Sequence, residues 1–478
     1  MNRTSCVFAL LIPIAFACFA FLPQARATCQ EGCLSNFNTV LGDSALISNT
    51  TGFSNTATGL STLLNNTTGF SNTANGVEAL FDNTTGSDNT ATGATTLEFN
   101  TTGNENTASG FEALFSNMTG NFNTATGAFA LDLNTTGSAN TATGVQALYS
   151  NTTGANNTAT GLDALFSNST GSNNTANGAF ALQINTTGIE NTASGFEALL
   201  SNSTGSNNTA DGYTALYRNT TGINNTAQGS TALFSNTVGG SNTAVGANAL
   251  FANTTGSSNT ALGNRALSAN TTGGSNVAIG DSAGTNLTTG SNNIDIGANV
   301  LGTAAEANTI RVGRQGTQQK TFIAGIYGKT VTGGVGVSIN SNGQLGTVVS
   351  SERFKETIRP MEKASEAILE LQPVTFRYKH DLDPDGIPQF GLVAEQVERV
   401  NPDLIVRDEQ GKPFTVRYEA VNAMLLNEFL KEHRKVEEQG AMIARQQKQI
   451  EALNAGLQKM RAQLEMSKAA QQTALNNH

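Results

Sequence analysis

A repeat of 17 residues dominates this chain and limits what it can fold into. Asn recurs every 17 residues from residue 38 to residue 293, sixteen times without a gap, and Gly does the same from 42 to 297. Leu keeps its own slot fourteen times in succession, from 46 to 267. The unit reads approximately N-T-A-x-G-x-x-A-L-x-x-N-T-T-G-x-x. A short fixed period without slips predicts a solenoid of stacked coils.

Two turn signals in each unit define the expected coil. The N-T-T-G segment and the glycine after N-T-A-x bracket two short stretches, for which we expect two strands per coil and parallel pairing between coils. Sixteen coils spaced about 4.8 Å apart would give a stack about 75 Å long. The predicted fold is mainly β: a trimeric parallel β-solenoid or β-roll over residues 38–300, then a small α+β domain and a trimeric coiled coil.

Substitutions between repeats indicate which side chains face inward. Thr56 and Thr58 align with Val277 and Ile279 in a later repeat, and Leu262 fills the same slot elsewhere. Because strand side chains alternate, we expect these threonine slots to face the interior. A thin coil of Ala, Thr and one Leu buries little apolar surface, so packing against identical chains is the expected remedy.

Other functions of the repeat have weaker support from the sequence. Inward-facing threonines argue against an ice-binding threonine ladder. The Asn-x-Thr sequons would accept glycans in a eukaryotic secretory route, although turns and stacked amides explain the repeated Asn equally well. No acidic pair or aromatic platform recurs along the repeat, which argues against a glycosidase-like site. A host-surface or glycan ligand cannot be read from it.

Charge and histidine distribution exclude further classes of function. The chain has 36 acidic and 26 basic residues, net −10, and 38 of these 62 charges lie in residues 350–478. Without a basic cluster, nucleic-acid binding is not expected. No apolar run after residue 22 is long enough to span a bilayer. The three histidines are scattered, so we expect no metal and no cofactor.

The first residues have the pattern of a secretory signal peptide, residues 1–27. Arg3 provides the positive charge, residues 7–22 form the apolar core, and residues 25–27 form a small-x-small cleavage site. The mature chain is therefore expected to be secreted or held at the cell surface.

A short segment with two cysteines, residues 28–37, follows the predicted cleavage site. Cys29 and Cys33 would enter an oxidising compartment, where a disulfide can form. Pairing within the chain and pairing between chains both remain open.

The N-S/T-x-A-x-G coils resemble the heads of trimeric autotransporter adhesins over about residues 36–300. The resemblance implies a left-handed parallel β-roll wound by three chains. The period of 17 is longer than in those heads. The C-terminal region also differs, so attachment to an outer membrane by that route is not expected.

The regular repeat stops at a neck, residues 301–349. Residues 308–313 and 321–328 read as short β segments, and Asn340-Ser341-Asn342-Gly343 reads as a hairpin turn. We expect this neck to connect the solenoid to a C-terminal domain.

Residues 350–424 have the composition of a globular domain. Residues 361–371 predict an amphipathic helix, 374–379 a strand, and 390–397 a segment that leads into a second helix. A long helix is expected to begin near Tyr418.

A heptad pattern over residues 425–468 predicts a coiled coil, with a tail at 469–478. An amphipathic helix packed on its own domain is the alternative, but a strict period of seven favours self-association. Leu425, Leu453 and Met460 occupy companion slots. The residues that recur every seven positions are Phe429, Val436, Ile443, Ile450, Leu457 and Leu464.

The candidate catalytic residues lie where the neck meets the globular domain, in the segment Ser350-Ser351-Glu352-Arg353-Phe354-Lys355. A serine and a lysine can act as nucleophile and general base if the lysine is desolvated enough to lose its proton. The structural alternative is that Ser350 or Ser351 caps a helix, with Arg353 and Lys355 on its solvated face.

This segment, with F-R-Y-K at 376–379, G-L-V-A-E-Q-V at 391–397 and the closing heptads, resembles the intramolecular chaperone auto-processing domain of endosialidase-type phage tailspikes and tail fibres. The resemblance covers about residues 350–465. It implies that three copies assemble, promote folding of the β-helical trimer ahead of them, and then cut themselves off before the serine of an S-D-x-R-x-K motif.

Carried onto this sequence, the motif assigns the nucleophile to Ser350, the base to Lys355 and the supporting arginine to Arg353, with Val349–Ser350 as the scissile bond. Ser351 replaces the aspartate of the motif and is a second candidate nucleophile. The predicted function is thus a trimeric fibre with a self-cleaving chaperone domain, a single-turnover serine endopeptidase. The alternative is a non-enzymatic fibre or adhesin with an uncleaved trimerisation clamp.

Overall fold

The computed structural model describes residues 29–34, 36–324, 326, 329, 331–340, 342–408 and 410–475. The predicted signal peptide lies outside these residues, as do the side chains of Cys29 and Cys33, so their pairing stays a prediction. The chain divides into two compact units between Thr321 and Phe322.

A parallel β-solenoid forms the first unit and confirms the fold class expected from the repeat. Strand β1 (Cys29–Leu34) pairs antiparallel with β2 (Asn38–Asp43), and β2 to β18 then pair in parallel, each with the next. The step is 17 residues up to β17 and 16 from β17 to β18. Strands β3 to β18 are Thr56–Thr58, Thr73–Asn75, Thr90–Thr92, Thr107–Ser109, Thr124–Thr126, Thr141–Thr143, Thr158–Thr160, Thr175–Asn177, Thr192–Ser194, Thr209–Asp211, Thr226–Gln228, Thr243–Val245, Thr260–Leu262, Val277–Ile279, Ile294–Ile296 and Ile310–Val312.

Each coil from β3 onward contains one strand of three residues, and the expectation of two strands per coil is wrong. The opposite arm is a series of turns in which left-handed residues recur, such as Asp163 and Leu165, both with φ 53°. A left-handed residue breaks the extended backbone that a strand requires. The arm still bonds from coil to coil, for example from Leu165 N to the Ala181 carbonyl at 3.0 Å.

The core of the solenoid is built from two alanines and one leucine in most coils, and Thr62 and Thr96 replace the second alanine in two of them. In one coil these are Ala159, Ala164 and Leu165, all fully buried. The buried leucine slot predicted by the repeat is confirmed. Because the leucine and second alanine fill much of the narrow interior, the strand opposite them carries the small alanine at its centre in every coil from β3 to β16.

The expectation that Thr56 and Thr58 face the interior is wrong. Ala57 between them is fully buried, whereas the residues on either side of the central alanine face outward along the sheet. The alternation was predicted correctly, but with the opposite phase. The argument that inward-facing threonines exclude an ice-binding ladder therefore no longer applies.

Two columns of buried asparagines connect successive coils. In the first, Asn157 Nδ2 donates to Asn140 Oδ1 at 3.1 Å and to the Gly171 carbonyl at 2.8 Å. Asn157 Oδ1 accepts from the Asn174 backbone N at 3.0 Å. In the second column, Asn151 Nδ2 donates to Asn134 Oδ1 at 2.7 Å. Since all of these amides are buried, the bonds satisfy groups that would otherwise destabilise the interior.

The second column contains the asparagines of the N-T-T sequons. Asn151 is fully buried, and its Nδ2 also donates to the Gly154 carbonyl at 2.9 Å. A glycan on that nitrogen would displace both bonds and could not fit in the interior. The folded solenoid therefore leaves no glycan acceptor at this position of its buried column.

The glycine after each strand is required by conformation and by space. Gly144 has a φ of 137°, and a Cβ at this residue would lie 2.4 Å from the Gly161 carbonyl oxygen. Other residues rarely adopt this φ, and the close approach forbids a side chain. This explains why the glycine repeats without exception from residue 42 to residue 297.

The last two strands of the solenoid carry charge in the central slot. Asp295 replaces the central alanine in β17 and is fully buried, and Arg311 replaces it in β18. The two side chains approach to 3.6 Å, and Arg311 also pairs with Glu306. An ion pair of this kind closes the end of the alanine-lined interior.

The second unit contains three small antiparallel sheets and several helices. The turn predicted at Asn340–Gly343 is confirmed, because β19 (Ser338–Ile339) pairs with β20 (Leu345–Gly346) around it. The other pairs are β21 (Val374–Phe376) with β22 (Gln389–Gly391), and β23 (Ile405–Arg407) with β24 (Pro413–Val416). The helices are the 3₁₀ segments η1 (Glu352–Phe354), η2 (Glu362–Glu370) and η3 (Pro402–Leu404), and the α-helices α1 (Ala394–Val400) and α2 (Tyr418–Leu475).

Four of the predicted segments differ in detail. The helix expected at residues 361–371 is the 3₁₀ segment η2, and the strand expected at 374–379 ends at Phe376. Residues 308–313, expected in the neck, contain β18, which is the last strand of the solenoid sheet. Residues 321–324 form no strand.

One acidic side chain along the solenoid makes its stability depend on pH. Asp132 is 5% exposed and its Oδ1 has no hydrogen-bond partner. Burial, followed by the charge of the nearby Glu112, raises the pKa of Asp132 from 3.8 to about 6, and a hydrogen bond with Tyr149 opposes this shift. The fold therefore favours the protonated form, and this stabilisation is lost as pH rises through about 6.

We expect Asn157→Asp to destabilise the solenoid by about 2–5 kcal/mol, because a buried carboxylate cannot donate to Asn140 or to Gly171. The adjacent Asn156 is exposed and left-handed, with φ 57°, so Asn156→Asp is the matched control and should change stability by less than about 0.5 kcal/mol. Urea midpoints followed by circular dichroism measure both. Equal shifts for the two variants would contradict the role of the column.

Asp132→Asn should stabilise the solenoid at pH 7.5 by roughly 1–3 kcal/mol, because it removes a carboxylate that the fold prefers to protonate. The gain should shrink towards pH 4.5, where Asp132 is protonated in the folded chain. The measurement is the urea midpoint at both pH values, with Asp88→Asn, at an exposed residue, as the control. A gain independent of pH would mean that Asp132 does not carry the effect.

Candidate functional site

The predicted nucleophile and base lie on either side of η1. Ser350 precedes this 3₁₀ segment and Lys355 follows it, and the Lys355 backbone N donates to the Glu352 carbonyl at 2.9 Å. Both side chains are exposed. Within the described residues no hydrogen bond joins the Ser350 hydroxyl to the Lys355 amine, so the single chain does not assemble the dyad.

The alternative role of helix cap is not taken by Ser351. This serine occupies the N-cap of η1, but its side chain makes no capping hydrogen bond. The Arg353 guanidinium lies over the Phe354 ring, 4.6 Å from its centroid, a geometry typical of a cation–π contact. Arg353 is thus the motif residue that packs on the exposed Phe354 ring.

The whole segment around the predicted scissile bond lies on the surface. Every residue from 342 to 364 is exposed. Val349 is 54% exposed, and Phe354 and Ile358 are exposed to a similar extent. Apolar side chains crowded into an exposed segment indicate a surface that lacks its partner in the single chain.

A buried polar cluster holds η2 against the start of α2. Ser365 is fully buried, and its hydroxyl donates to Glu428 Oε1 at 2.5 Å and accepts from Asn427 Nδ2 at 2.6 Å. Lys431 Nζ lies 3.3 Å from the same hydroxyl and 2.6 Å from Glu428 Oε1. The bond from Lys431, followed by that from Ser365, lowers the pKa of Glu428.

This cluster contains a serine beside a lysine but is not arranged for catalysis. Lys431 donates to the Glu428 carboxylate and so cannot accept the serine proton. Ser365 is closed off from any substrate by burial. The cluster is better suited to fix the position of η2 along α2, since buried polar groups specify one arrangement when all are paired. Sequence reasoning missed it because its members lie more than 60 residues apart.

The apolar core of the second unit is small. Within the described residues its buried side chains are Val397, Leu404, Ile405, Val416 and Met424, and seven partly buried apolar side chains pack against them. A core of this size contributes little stability to a domain of this length. Additional burial through association is therefore expected.

The heptad residues on α2 form an exposed apolar seam. All of the predicted seam residues are exposed in the single chain, between 50% and 67%. They are Leu425, Phe429, Val436, Ile443, Ile450, Leu453, Leu457, Met460 and Leu464. A helix of 58 residues with a regular exposed apolar seam is typical of a coiled-coil strand.

The turns of the solenoid carry stacked aromatic rings. Tyr217 stacks on Phe234 at 5.1 Å between centroids, and Phe234 on Phe251 at 5.3 Å. The sequence analysis did not anticipate these stacked rings. Because successive rings cover each other's faces, the stack presents mainly ring edges rather than the open faces on which a sugar would stack.

The described part of the chain contains neither a group of metal-binding side chains nor a membrane-spanning helix. No group of three or more His, Cys, Asp or Glu side chains there could hold a metal ion. None of its helices combines the length and apolarity that crossing a bilayer requires.

Comparison with known families identifies the segment that contains the motif. Residues 350–406 match the family model described as chaperone of endosialidase. The match begins at Ser350 and lies directly behind the solenoid and neck, which confirms the resemblance drawn from the S-S-E-R-F-K motif. No curated protein and no solved structure matches the chain.

We expect Ser365→Ala to loosen η2 by about 1–3 kcal/mol, because Glu428 and Asn427 lose their shared partner. Hydrogen exchange of the η2 amides in the full chain measures this loss. Ser351→Ala removes a hydroxyl without a capping bond and should leave exchange in η2 unchanged. Unchanged exchange in Ser365→Ala would show that the cluster does not hold the segment.

Proposed function

We propose that this chain is an exported fibre protein whose C-terminal domain is an intramolecular chaperone that joins three chains, promotes folding of the solenoid, and then cuts itself off at Val349–Ser350. The single observation that carries the proposal is the chaperone-of-endosialidase match starting at Ser350 behind a solenoid. The exposed seam of α2 and the small core of the second unit support assembly as its first step.

Assembly addresses a folding problem created by the repeat. Identical coils can pair out of register, and contacts between different chains form slowly. A coiled coil that starts from a fixed heptad pattern would align three chains before their solenoids fold. Removal of the aligning domain would then leave the trimer kinetically trapped, since the device that assembled it is gone.

The proposed cleavage is an acyl shift followed by hydrolysis. The Ser350 hydroxyl oxygen attacks the Val349 carbonyl carbon, Lys355 accepts the hydroxyl proton, and the Ser350 nitrogen leaves as a free amine after it takes up a proton. The ester between Val349 and Ser350 is then hydrolysed by one water. The products are a Val349 carboxylate and a fragment that begins with Ser350, and no cofactor is consumed.

The arrangement in the single chain indicates when this reaction would occur. A lysine acts as a base only where burial removes its proton, and Lys355 is exposed. Packing of neighbouring chains over the exposed segment at 342–364 would bury Lys355 and bring it towards Ser350. Cleavage would then follow assembly and would not occur in an unassembled chain.

The test is the intact mass of purified residues 28–478 beside three variants. The wild type should split into residues 28–349 and 350–478, while Ser350→Ala and Lys355→Ala should stay whole, with a loss of at least roughly 100-fold in cleavage rate. Ser351→Ala should still split. Cleavage that persists in Ser350→Ala but stops in Ser351→Ala would assign the nucleophile to Ser351.

Dependence on assembly is tested with a seam variant. Ile450→Asp places three carboxylates in the proposed seam and should abolish both the trimer and cleavage, whereas Ala455→Asp lies outside the seam and should preserve both. Sedimentation measures the oligomeric state. Cleavage by a monomeric Ile450→Asp chain would contradict the proposed order.

The second candidate function is a fibre or adhesin that keeps the C-terminal domain as a permanent clamp. It is favoured by the serine at position 351, where the motif of the resembled family has aspartate. A wild-type chain that is trimeric, folded and uncut would establish this alternative. In both cases the predicted signal peptide directs the product to the surface or the medium.

A further inference from the structure

We infer that the outward side of the parallel sheet is the surface on which copies of this chain pack against one another, along the length of the solenoid. The inference rests on the self-association proposed above and identifies the face that it would use. This face consists of two outer rows, formed by the residues that flank the central buried residue of each strand from β2 to β18.

The outer rows are almost free of charge. Among the described strands, Asp211 is the one charged residue in these rows. The other acidic residues of the solenoid lie mainly in its turns, for example Glu98, Glu112 and Asp163. In a symmetric assembly each copy contributes the same face, so a charged face would repel itself. A chain of net charge −10 can therefore self-associate most readily through this face.

The outer rows become apolar over the last coils. In the row that follows the central residue, five successive residues are Val245, Leu262, Ile279, Ile296 and Val312. The other row changes from threonine to Val277, Ile294 and Ile310. Ile279 is 37% exposed and Val312 is 72% exposed. This apolar series faces away from the core of its own chain.

Strands β17 and β18 support the inference most strongly, because their charged side chains face inward and their apolar side chains face outward. Asp295 and Arg311 point to the chain's own interior, while Ile294 and Ile296 flank the aspartate on the outer side. A strand exposed to water normally places its apolar residues inside and its charges outside. The reversal is explained if the outer side is the more thoroughly buried one in the assembly.

The dimensions of the face are sufficient for a stable interface. Sixteen coils about 4.8 Å apart and a width of about 10 Å give roughly 750 Å², which is close to the approximately 800 Å² per partner of a stable complex. Threonine and serine hydroxyls in the earlier coils can hydrogen-bond across the axis without introducing charge.

The other candidate roles for the solenoid surface fit less well. The aromatic stacks are interleaved with acidic side chains such as Glu98 and Asp132, which would repel their own copies. The second outer row varies among Thr, Asn, Ser, Asp and Gln, so the face lacks the uniform threonine lattice that an ice surface would match.

The test is cross-linking of single cysteines within one coil. The background is residues 28–478 with Cys29→Ser and Cys33→Ser, and with Ser350→Ala to keep the C-terminal domain attached. Thr243→Cys and Val245→Cys sample the two outer rows, and Thr255→Cys is the control, an exposed threonine in a turn of the same coil. The probe is a short bis-maleimide, with denaturing gels as the readout.

At least one outer-row cysteine should cross-link most of the chains, with at least roughly tenfold more product than Thr255→Cys. Sedimentation of the same samples separates two failures. A trimer in which neither outer-row cysteine cross-links would overturn this inference and leave the proposed function standing. A monomer would overturn both.

A charge substitution provides an independent readout. Ile279→Asp brings like charges together at the proposed interface and should reduce the trimer fraction of the solenoid roughly tenfold at low salt. The control, Asn264→Asp, adds the same charge at an exposed turn residue and should leave the trimer unchanged. Equal effects of the two substitutions would also overturn the inference.

Discussion

The hydrogen bonds between stacked asparagine side chains determine what the solenoid can be. Each buried amide, such as that of Asn157, bonds to the coil on either side as well as to a turn carbonyl in the next coil. One coil alone would leave these donors and acceptors unpaired in its interior, so the columns make the coils interdependent. The narrow interior, which most coils fill with Ala and one Leu, and the glycines that allow close backbone approach follow from the same tight stacking.

The period, the buried leucine and the parallel stack could be read from the sequence, because they depend on residues that recur at a fixed spacing. Which residues of the strand face the interior could not be read from the sequence. Alternation at Thr56-Ala57-Thr58 fits either orientation, and the choice depends on how much space Leu and Ala leave across the coil. Left-handed residues such as Leu165 were also missed, since nothing in the sequence marks leucine for that conformation. The turn at Asn340–Gly343 and the long helix from Tyr418 were predictable, because both have local signals.

The candidate site was predictable only in part. The S-S-E-R-F-K motif predicted the resemblance of this segment to the endosialidase chaperone, which the match to residues 350–406 confirms. The cluster around Ser365 joins residues from η2 and α2 that no sequence spacing relates. The roles of Ser350 and Lys355 remain predictions. In the single chain both side chains are exposed, and no hydrogen bond between them is described. The exposed seam, the small core and the exposed segment around Val349 and Ser350 are the features that support the proposed assembly.

Because the coils stack uniformly, the number of coils in the solenoid does not affect the structure of its two ends. Each coil presents the same amides, carbonyls and core residues to the next, so inserting or deleting one unit of 17 residues would leave every remaining junction unchanged and alter the stack by about 4.8 Å. The charged closure at Asp295 and Arg311 and the antiparallel start at β1 would be carried along intact. The length of the solenoid could therefore vary through the number of repeats alone, while both of its ends stay the same.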